Sequence, residues 1–344
     1  MKALVYHGPR DVRLEEVERP RPGPGEVLVR VKAALTCGTD LKAYRRGHPL
    51  MREGVIMGHE FSGIVEEIGQ GVSTFRRGDR IACTNSAPCL FCRYCMLGRH
   101  NLCERLTEEA LGFSRNGGYA EYVTVPERVL RLNAFHLPEN TAFEEAAFLE
   151  PLSCAVHGQR MLGLSLGEAV LILGAGPVGL MHVQLCRLRG ANPIIVADPH
   201  EEKLELARRL GADHTIDLAK EGLRERLEEV TNGRGVSAVI EAVGKVQAWE
   251  QAAEVVAKGG RVLLFGGCPR GTKASFDTYR IHYEEVALLG SFHYSPGDAK
   301  AAFELIVGGR VNLRPLISRS VGFEGLLSYF LEQGGGSIKV ALTP

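Results

Sequence analysis

Two patterns of apolar and polar positions divide this chain. Up to residue 149, short runs alternate apolar with polar side chains and are broken by Gly and Pro. The clearest is Glu26-Val27-Leu28-Val29-Arg30-Val31-Lys32, which follows the turn-rich Pro20-Arg21-Pro22-Gly23-Pro24-Gly25. Similar runs stand at Phe61–Ile68, Asp79–Cys83 and Tyr119–Val125. A period of two puts alternate side chains on one face, so these runs are predicted strands of a β-rich domain without strand–helix alternation.

From Gly167 the pattern changes. Strand-length apolar runs recur at 169–173, 194–198, 213–217, 236–241, 261–266 and 286–291, with helical spacing between most of them. Apolar runs of that kind suit strands buried on both faces, and the alternation predicts a doubly wound parallel sheet. The tail, 292–344, returns to mixed short elements and is expected to pack back onto the first domain. The expected division is therefore residues 1–149 with 292–344 as one domain, and 150–291 as a second domain inserted into it.

Length agrees with two domains, because 344 residues exceed a typical single core. Formal net charge is zero and no basic block occurs, so neither nucleic acid nor an anionic membrane is an expected partner. The start, Met1 to Gly8, lacks the apolar core of a signal peptide, and no unbroken apolar run reaches membrane-spanning length. A cytoplasmic location is expected. Four of the nine cysteines are crowded into one segment, which in an intracellular chain favours metal over disulfides.

The stretch Ala169 to Asp198 carries the first chemistry. The strand Ala169–Leu173 runs into Gly174-Ala175-Gly176-Pro177-Val178-Gly179, spaced G-x-G-x-x-G, then a helical pattern to about Arg189 and a second strand ending in Asp198. Gly174 permits a tight turn, Gly176 lets backbone approach a pyrophosphate, and Gly179 lets the helix pack closely. The helix opens at Pro177, which has no N–H of its own, and from Val178 onward its start supplies free N–H groups and partial positive charge. Asp198, 22 residues after Gly176, can accept hydrogen bonds from an adenosine ribose. A carboxylate there repels a 2′-phosphate, so NAD is expected over NADP. Lys203 can reach the ribose side, but one lysine beside Asp198, Glu201 and Glu202 is poor phosphate bait.

Cys89-x-x-Cys92-x-x-Cys95-x7-Cys103 is the most specific motif. Four thiolates on a short loop, about 84–108, can close a tetrahedron around Zn²⁺ and leave no open position, which is a structural site; an iron–sulfur cluster is the weaker rival. Cys83, Cys154, Cys186 and Cys268 sit among apolar residues and read as core. A dispersed set, Cys37-Gly38-Thr39-Asp40, Gly58-His59-Glu60 and Glu150-Pro151, could supply a cysteine, a histidine and a carboxylate to an open zinc site. Spacing alone leaves that open, since a single Cys, His or Glu is usually structural.

These motifs, with Gly117-Gly118-Tyr119-Ala120-Glu121-Tyr122, occur in the order and spacing of the zinc-dependent medium-chain dehydrogenases, and over its whole length the chain resembles that alcohol, sorbitol and threonine dehydrogenase superfamily. The resemblance implies an α/β protein with a GroES-like β-rich catalytic domain and a Rossmann domain. It implies NAD, two zinc ions per chain, a small-molecule alcohol substrate and a homo-oligomer, tetramer or dimer. Residue by residue, it makes Cys37 and His59 catalytic zinc ligands and Asp40 the carboxylate that orients His59. It makes Thr39 the hydroxyl that takes the substrate proton, with Glu60 and Glu150 as candidate third ligands. Lys42 stands where many relatives have a histidine, so the proton exit is open, or Lys42 is simply a solvated lysine. Tyr294 matches one member of an Arg-Tyr pair that touches polyol hydroxyls in sorbitol dehydrogenases. His48 and His157 read as a loop and a packed histidine. The expected activity is oxidation of a secondary alcohol, a polyol, sugar or related hydroxy compound. L-Threonine 3-dehydrogenase activity is the alternative within the class, and a non-catalytic NAD-binding protein the alternative outside it.

Overall fold

The computed structural model describes every residue except Gly335. Eight strands form before residue 137: β1 (Lys2–Gly8), β2 (Asp11–Glu16), β3 (Val27–Leu35), β4 (Val55–Ile56), β5 (Phe61–Ile68), β6 (Arg80–Cys83), β7 (Tyr122–Val125) and β8 (Ala134–His136). Six follow in the middle of the chain: β9 (Val170–Leu173), β10 (Ile194–Asp198), β11 (His214–Asp217), β12 (Val236–Glu241), β13 (Val256–Leu264) and β14 (Ala287–Gly290). Two more, β15 (Ile317–Val321) and β16 (Lys339–Leu342), come after them. The chain forms two compact units, Met1–Ser153 with Tyr294–Pro344, and Cys154–His293.

In the first unit a seven-stranded sheet runs β15-β16-β3-β5-β6-β8, with β7 also on β3. Strand β3 explains this arrangement. Its first half, Val27–Arg30, pairs with β7, and its end, Ala34–Leu35, pairs with β16. Its other side pairs with β5 throughout. The expected alternation is therefore blurred: Val27, Leu28, Val29 and Val31 are all buried, and Arg30 alone is exposed. Burying each such side chain contributes about 1.5–3 kcal/mol, so this strand anchors the unit's core. The core is completed by Phe61, Val65, Ile81, Tyr119, Phe330 and Leu342. The run at Tyr119 begins as a strand only at Tyr122, because the backbone of Gly117–Tyr119 is tied elsewhere, as described below.

The second unit is one parallel sheet in the order β11-β10-β9-β12-β13-β14. β9 and β10 are buried at every position; β9 is wholly apolar, and β10 is apolar up to its last residue, Asp198. The order reverses between β9 and β12, which puts the C-terminal ends of those strands at the switch point where such sheets bind nucleotides. Among the described residues no helix is long and apolar enough to cross a membrane.

Candidate active site and metal centres

The first donor is built into a helix start. Cys37 is the N-cap of the helix Gly38–Arg46, with extended backbone. Its sulfur accepts from Thr39 N at 3.5 Å, while its own N–H donates to Asp40 Oδ2 at 2.9 Å. This reciprocal capping box satisfies two helix-end groups and fixes the sulfur's direction. Burial pushes the Cys37 thiol up, but His59 and then Lys339 pull it down to about 7, which suits a thiolate ligand.

His59 is set by close backbone packing. Gly58 has φ +93, and a Cβ there would lie 2.5 Å from the Tyr119 ring. Gly118 N donates to Gly58 O at 2.7 Å and Tyr119 N to Met57 O at 2.9 Å, so the Gly117-Gly118-Tyr119 segment braces the histidine turn. Asp40 is fully buried and its Oδ2 also accepts from the Tyr119 hydroxyl at 2.6 Å. Its other oxygen, Oδ1, faces His59 Nδ1 at 3.2 Å, close enough for electrostatic orientation but off the line of a good hydrogen bond. A carboxylate on that side favours the tautomer with Nδ1–H, which leaves the Nε2 lone pair for a metal. The ring packs against Phe113 at 4.9 Å between centroids, and His48 packs on Phe113 at 5.0 Å.

Glu60 completes the set. It is fully buried, and one oxygen, Oε2, accepts from Lys339 Nζ. The other, Oε1, has no hydrogen-bond partner and lies 4.0 Å from His59 Nε2. Burial pushes the Glu60 carboxyl up to about 8, against the pull of Lys339. A buried carboxylate oxygen without a partner, beside a thiol and an imidazole, is the donor set of an open zinc site, and the ligand atoms of Cys37, His59 and Glu60 all lie within 4.8 Å of one another. The residues therefore fit the metal. Glu150 is buried in the first turn of the helix Leu149–Leu162, but it is not one of that set of three.

The lobe also fits zinc. The sulfurs of Cys89, Cys92, Cys95 and Cys103 lie within 4.8 Å of one another, and those of Cys89 and Cys95 are 4.0 Å apart. A tetrahedron with bonds of about 2.3 Å has sulfur–sulfur edges of about 3.8 Å. Backbone N–H groups of Cys89 and Arg105 point at the Cys103 sulfur at 3.2 and 3.4 Å, and Cys92 N points at that of Cys89 at 3.3 Å. Such donors stabilise thiolates rather than thiols.

In the second unit the glycine turn has the form its spacing implies. Gly174 has φ +98, and a Cβ on Gly179 would stand 1.9 Å from Gly174 O, so only glycine allows this approach of helix to strand. Gly176 has open space around it and is the N-cap of the helix Pro177–Leu188, with no side chain capping it. Asp198 ends β10, and its carboxylate accepts from Ala175 N at 2.9 Å and His200 N at 3.0 Å. Lys203 is half-buried in the first turns of the next helix.

Two residues of these sites carry more than sequence reasoning assigned them. Glu241, at the end of β12, is fully buried and accepts from both Val243 N and Gly244 N at 2.8 Å, shaping the loop beside the glycine turn. Lys339 was legible only as a lone cation in the apolar run Ile338–Leu342. Tyr294, expected to touch substrate, is 2 % exposed, and its hydroxyl donates to Asn85 Oδ1 at 2.6 Å beneath Ser86. That hydroxyl holds the loop 85–86. Lys42 is exposed and His157 buried. Cys83 and Cys186 are core residues as expected, whereas Cys154 and Cys268 are only half-buried.

Comparison with known proteins agrees with the fold and site. Residues 23–134 match the alcohol dehydrogenase GroES-like domain, and residues 177–308 match the zinc-binding dehydrogenase family. A sorbitol dehydrogenase of Halalkalibacterium halodurans is 32% identical, over 100% of this chain and 99% of its own. An L-threonine 3-dehydrogenase of Rhizobium johnstonii is 30% identical over 99% and 98%. A zinc-binding dehydrogenase-type structure from Sinorhizobium meliloti 1021, bound to NADP, superposes with a TM-score of 0.92 at 34% identity, covering 100% and 99% of the two chains. The chain belongs to the zinc-binding dehydrogenases of the alcohol dehydrogenase family, with a GroES-like catalytic domain and a Rossmann domain.

Proposed function

We propose that this dehydrogenase oxidises a secondary alcohol of the polyol or sugar class with NAD, using zinc at Cys37, His59 and Glu60. The observation that carries the reading is the donor set: a capped thiolate, an imidazole with Nε2 left open, and a buried carboxylate oxygen without a partner. Glu150 is kept as a candidate ligand, and the four lobe cysteines as a second, structural zinc site. The sorbitol dehydrogenase relative supports the substrate class, and Asp198 supports NAD. A homo-oligomer, dimer or tetramer, belongs to the same reading.

When bound, zinc supplies positive charge that makes an alcohol proton easier to lose, and NAD supplies the hydride acceptor. The chain's own groups do the rest. Asp40 holds the imidazole in one tautomer and orientation. Thr39, in the first turn after Cys37, offers a hydroxyl to take the substrate proton. The glycine turn at Gly174–Gly179, with Pro177 and Val178 opening the helix, receives the pyrophosphate. Asp198 accepts from the ribose hydroxyls, with Lys203 nearby.

The test measures NADH production across polyols, sugars, simple secondary alcohols and L-threonine, with wild type and Cys37→Ser. A vicinal diol or polyol should give the highest kcat/KM, and Cys37→Ser should lose turnover while NAD binding stays nearly intact. Highest kcat/KM with L-threonine overturns the substrate class. Full activity of Cys37→Ser overturns the mechanism.

A further inference from the structure

Strand β16 is apolar except for Lys339, and that lysine points inward. The residue is 2 % exposed; its ammonium donates to Thr36 O at 2.7 Å and to Glu60 Oε2, and lies 5.5 Å from the Phe148 ring centroid. Burying an ammonium costs several kcal/mol unless it is paired and hydrogen-bonded, so plain packing does not account for it. Its two partners do. Thr36 precedes the donor Cys37, and Glu60 follows the donor His59. Thr36 is further tied to β16 by Thr36 N to Val340 O at 3.0 Å and Val340 N to Thr36 Oγ1 at 2.9 Å. One strand thus grips both segments that carry metal donors.

The grip is asymmetric at Glu60. Lys339 occupies Oε2, while Oε1 faces the open side of His59 with no protein partner. We propose that Lys339 is a positioning residue that ties up one oxygen of Glu60 and so limits the carboxylate to a single-oxygen grip on the metal. This rests on the reading of Cys37, His59 and Glu60 as zinc ligands. Removing the ammonium frees the second oxygen and also takes a like charge away from the ion. Loss of the like charge strengthens the hold on the metal, and the freed oxygen strengthens it further by raising the coordination number.

The experiment follows zinc release from the holoenzyme to a chromophoric chelator, with lobe zinc as internal standard. Lys339→Met should slow release from the open site by about tenfold or more, the size expected for removing a buried like charge. With cobalt in that site, its visible absorption should weaken, as it does when coordination number rises. Lys339→Arg, which keeps the charge, should behave as wild type. Adding Glu60→Gln to Lys339→Met should bring release back to the wild-type rate or faster. Should Lys339→Met not accumulate folded, Lys339→Gln is read the same way, since it keeps a donor for Thr36 O but no charge. Release at the wild-type rate or faster, with far-ultraviolet dichroism and lobe zinc intact, overturns the inference. A wild type holding one zinc per chain, with the four lobe cysteines protected from alkylation, overturns the ligand reading instead.

Discussion

Tyr119 and Asp40 share a buried hydrogen bond of 2.6 Å, donated by the phenol hydroxyl to Oδ2. With Cys37 N on the same oxygen, this bond turns Oδ1 toward His59. Tyr119→Phe keeps the ring against Phe330 but removes the donor. The expected cost is about 1.5–3 kcal/mol of stability, the usual worth of a hydrogen bond to a charged group. Zinc should also be lost more readily from the open site, because the ring of His59 is less firmly oriented. Urea midpoints and zinc per chain after dialysis check this; wild-type values for both would mean that Asp40 needs no help from Tyr119.

The lobe should hold one of two zinc ions per chain. Cys95→Ser should remove one and lower the melting temperature, since metal binding and local folding are coupled there. Mass-spectrometric metal analysis of protein purified without added zinc reads the ratio directly. If wild type gives a ratio near one and the four cysteines alkylate in the native protein, the lobe does not bind zinc.

Cofactor choice turns on the charge of Asp198. NAD should exceed NADP in kcat/KM, although the Sinorhizobium relative was solved with NADP. Asp198→Asn removes the repulsion of a 2′-phosphate but keeps an oxygen for only one of two donors, since Ala175 N bonds Oδ2 and His200 N bonds Oδ1. The NAD preference should then shrink on the order of tenfold, chiefly through KM. A wild type that prefers NADP would mean that a basic residue reaches the ribose.

A buried histidine should make the fold sensitive to acid. His182 lies in the helix Pro177–Leu188, fully buried, with Gln159 Nε2 3.2 Å from its Nδ1 and Phe265 edge-on at 4.9 Å. Burial pushes its imidazole down from 6.5 to about 3. The unfolded chain therefore takes up a proton below pH 6.5 that the folded chain refuses until about 3. Stability from this group is full above the unfolded value and falls as pH drops, by at most about 1.4 kcal/mol per pH unit. His182→Gln, which never charges, should unfold with a flatter pH dependence between pH 6 and 4. Parallel slopes for the two proteins would remove His182 as the cause.

What the sequence made legible follows from how local each feature is. The parallel sheet could be read because strands buried on both faces are almost wholly apolar, as β9 is throughout and β10 is up to its last residue, Asp198. The glycine turn could be read because an atomic clash at Gly179 leaves no alternative residue. The lobe's four donors lie on one loop. The open site is different. Cys37, His59, Tyr119 and Lys339 come from segments far apart in the chain, and only resemblance to a family joined the first two. Lys339 escaped notice because a single lysine in a strand ordinarily guards an exposed edge. Tyr294 matches a family pattern in sequence, while the bond of its hydroxyl to Asn85 is a long-range contact that no local pattern encodes.

The seating of β16 beside β3 also has a meaning for synthesis. The contact of Lys339 with Thr36 spans 303 residues, and at translation rates of 5–20 residues per second it becomes possible about 15–60 seconds after Thr36 is made. By then the ribosome has delivered the whole interposed nucleotide unit, whose strands neighbour one another in sequence and can fold as they emerge. The ligand-bearing unit meanwhile waits with the end of β3, Ala34–Leu35, unpaired on one edge, a nascent-chain liability that holdase chaperones exist to cover. Slow codons or chaperone loss should therefore injure the metal-binding half of this enzyme before its nucleotide-binding half.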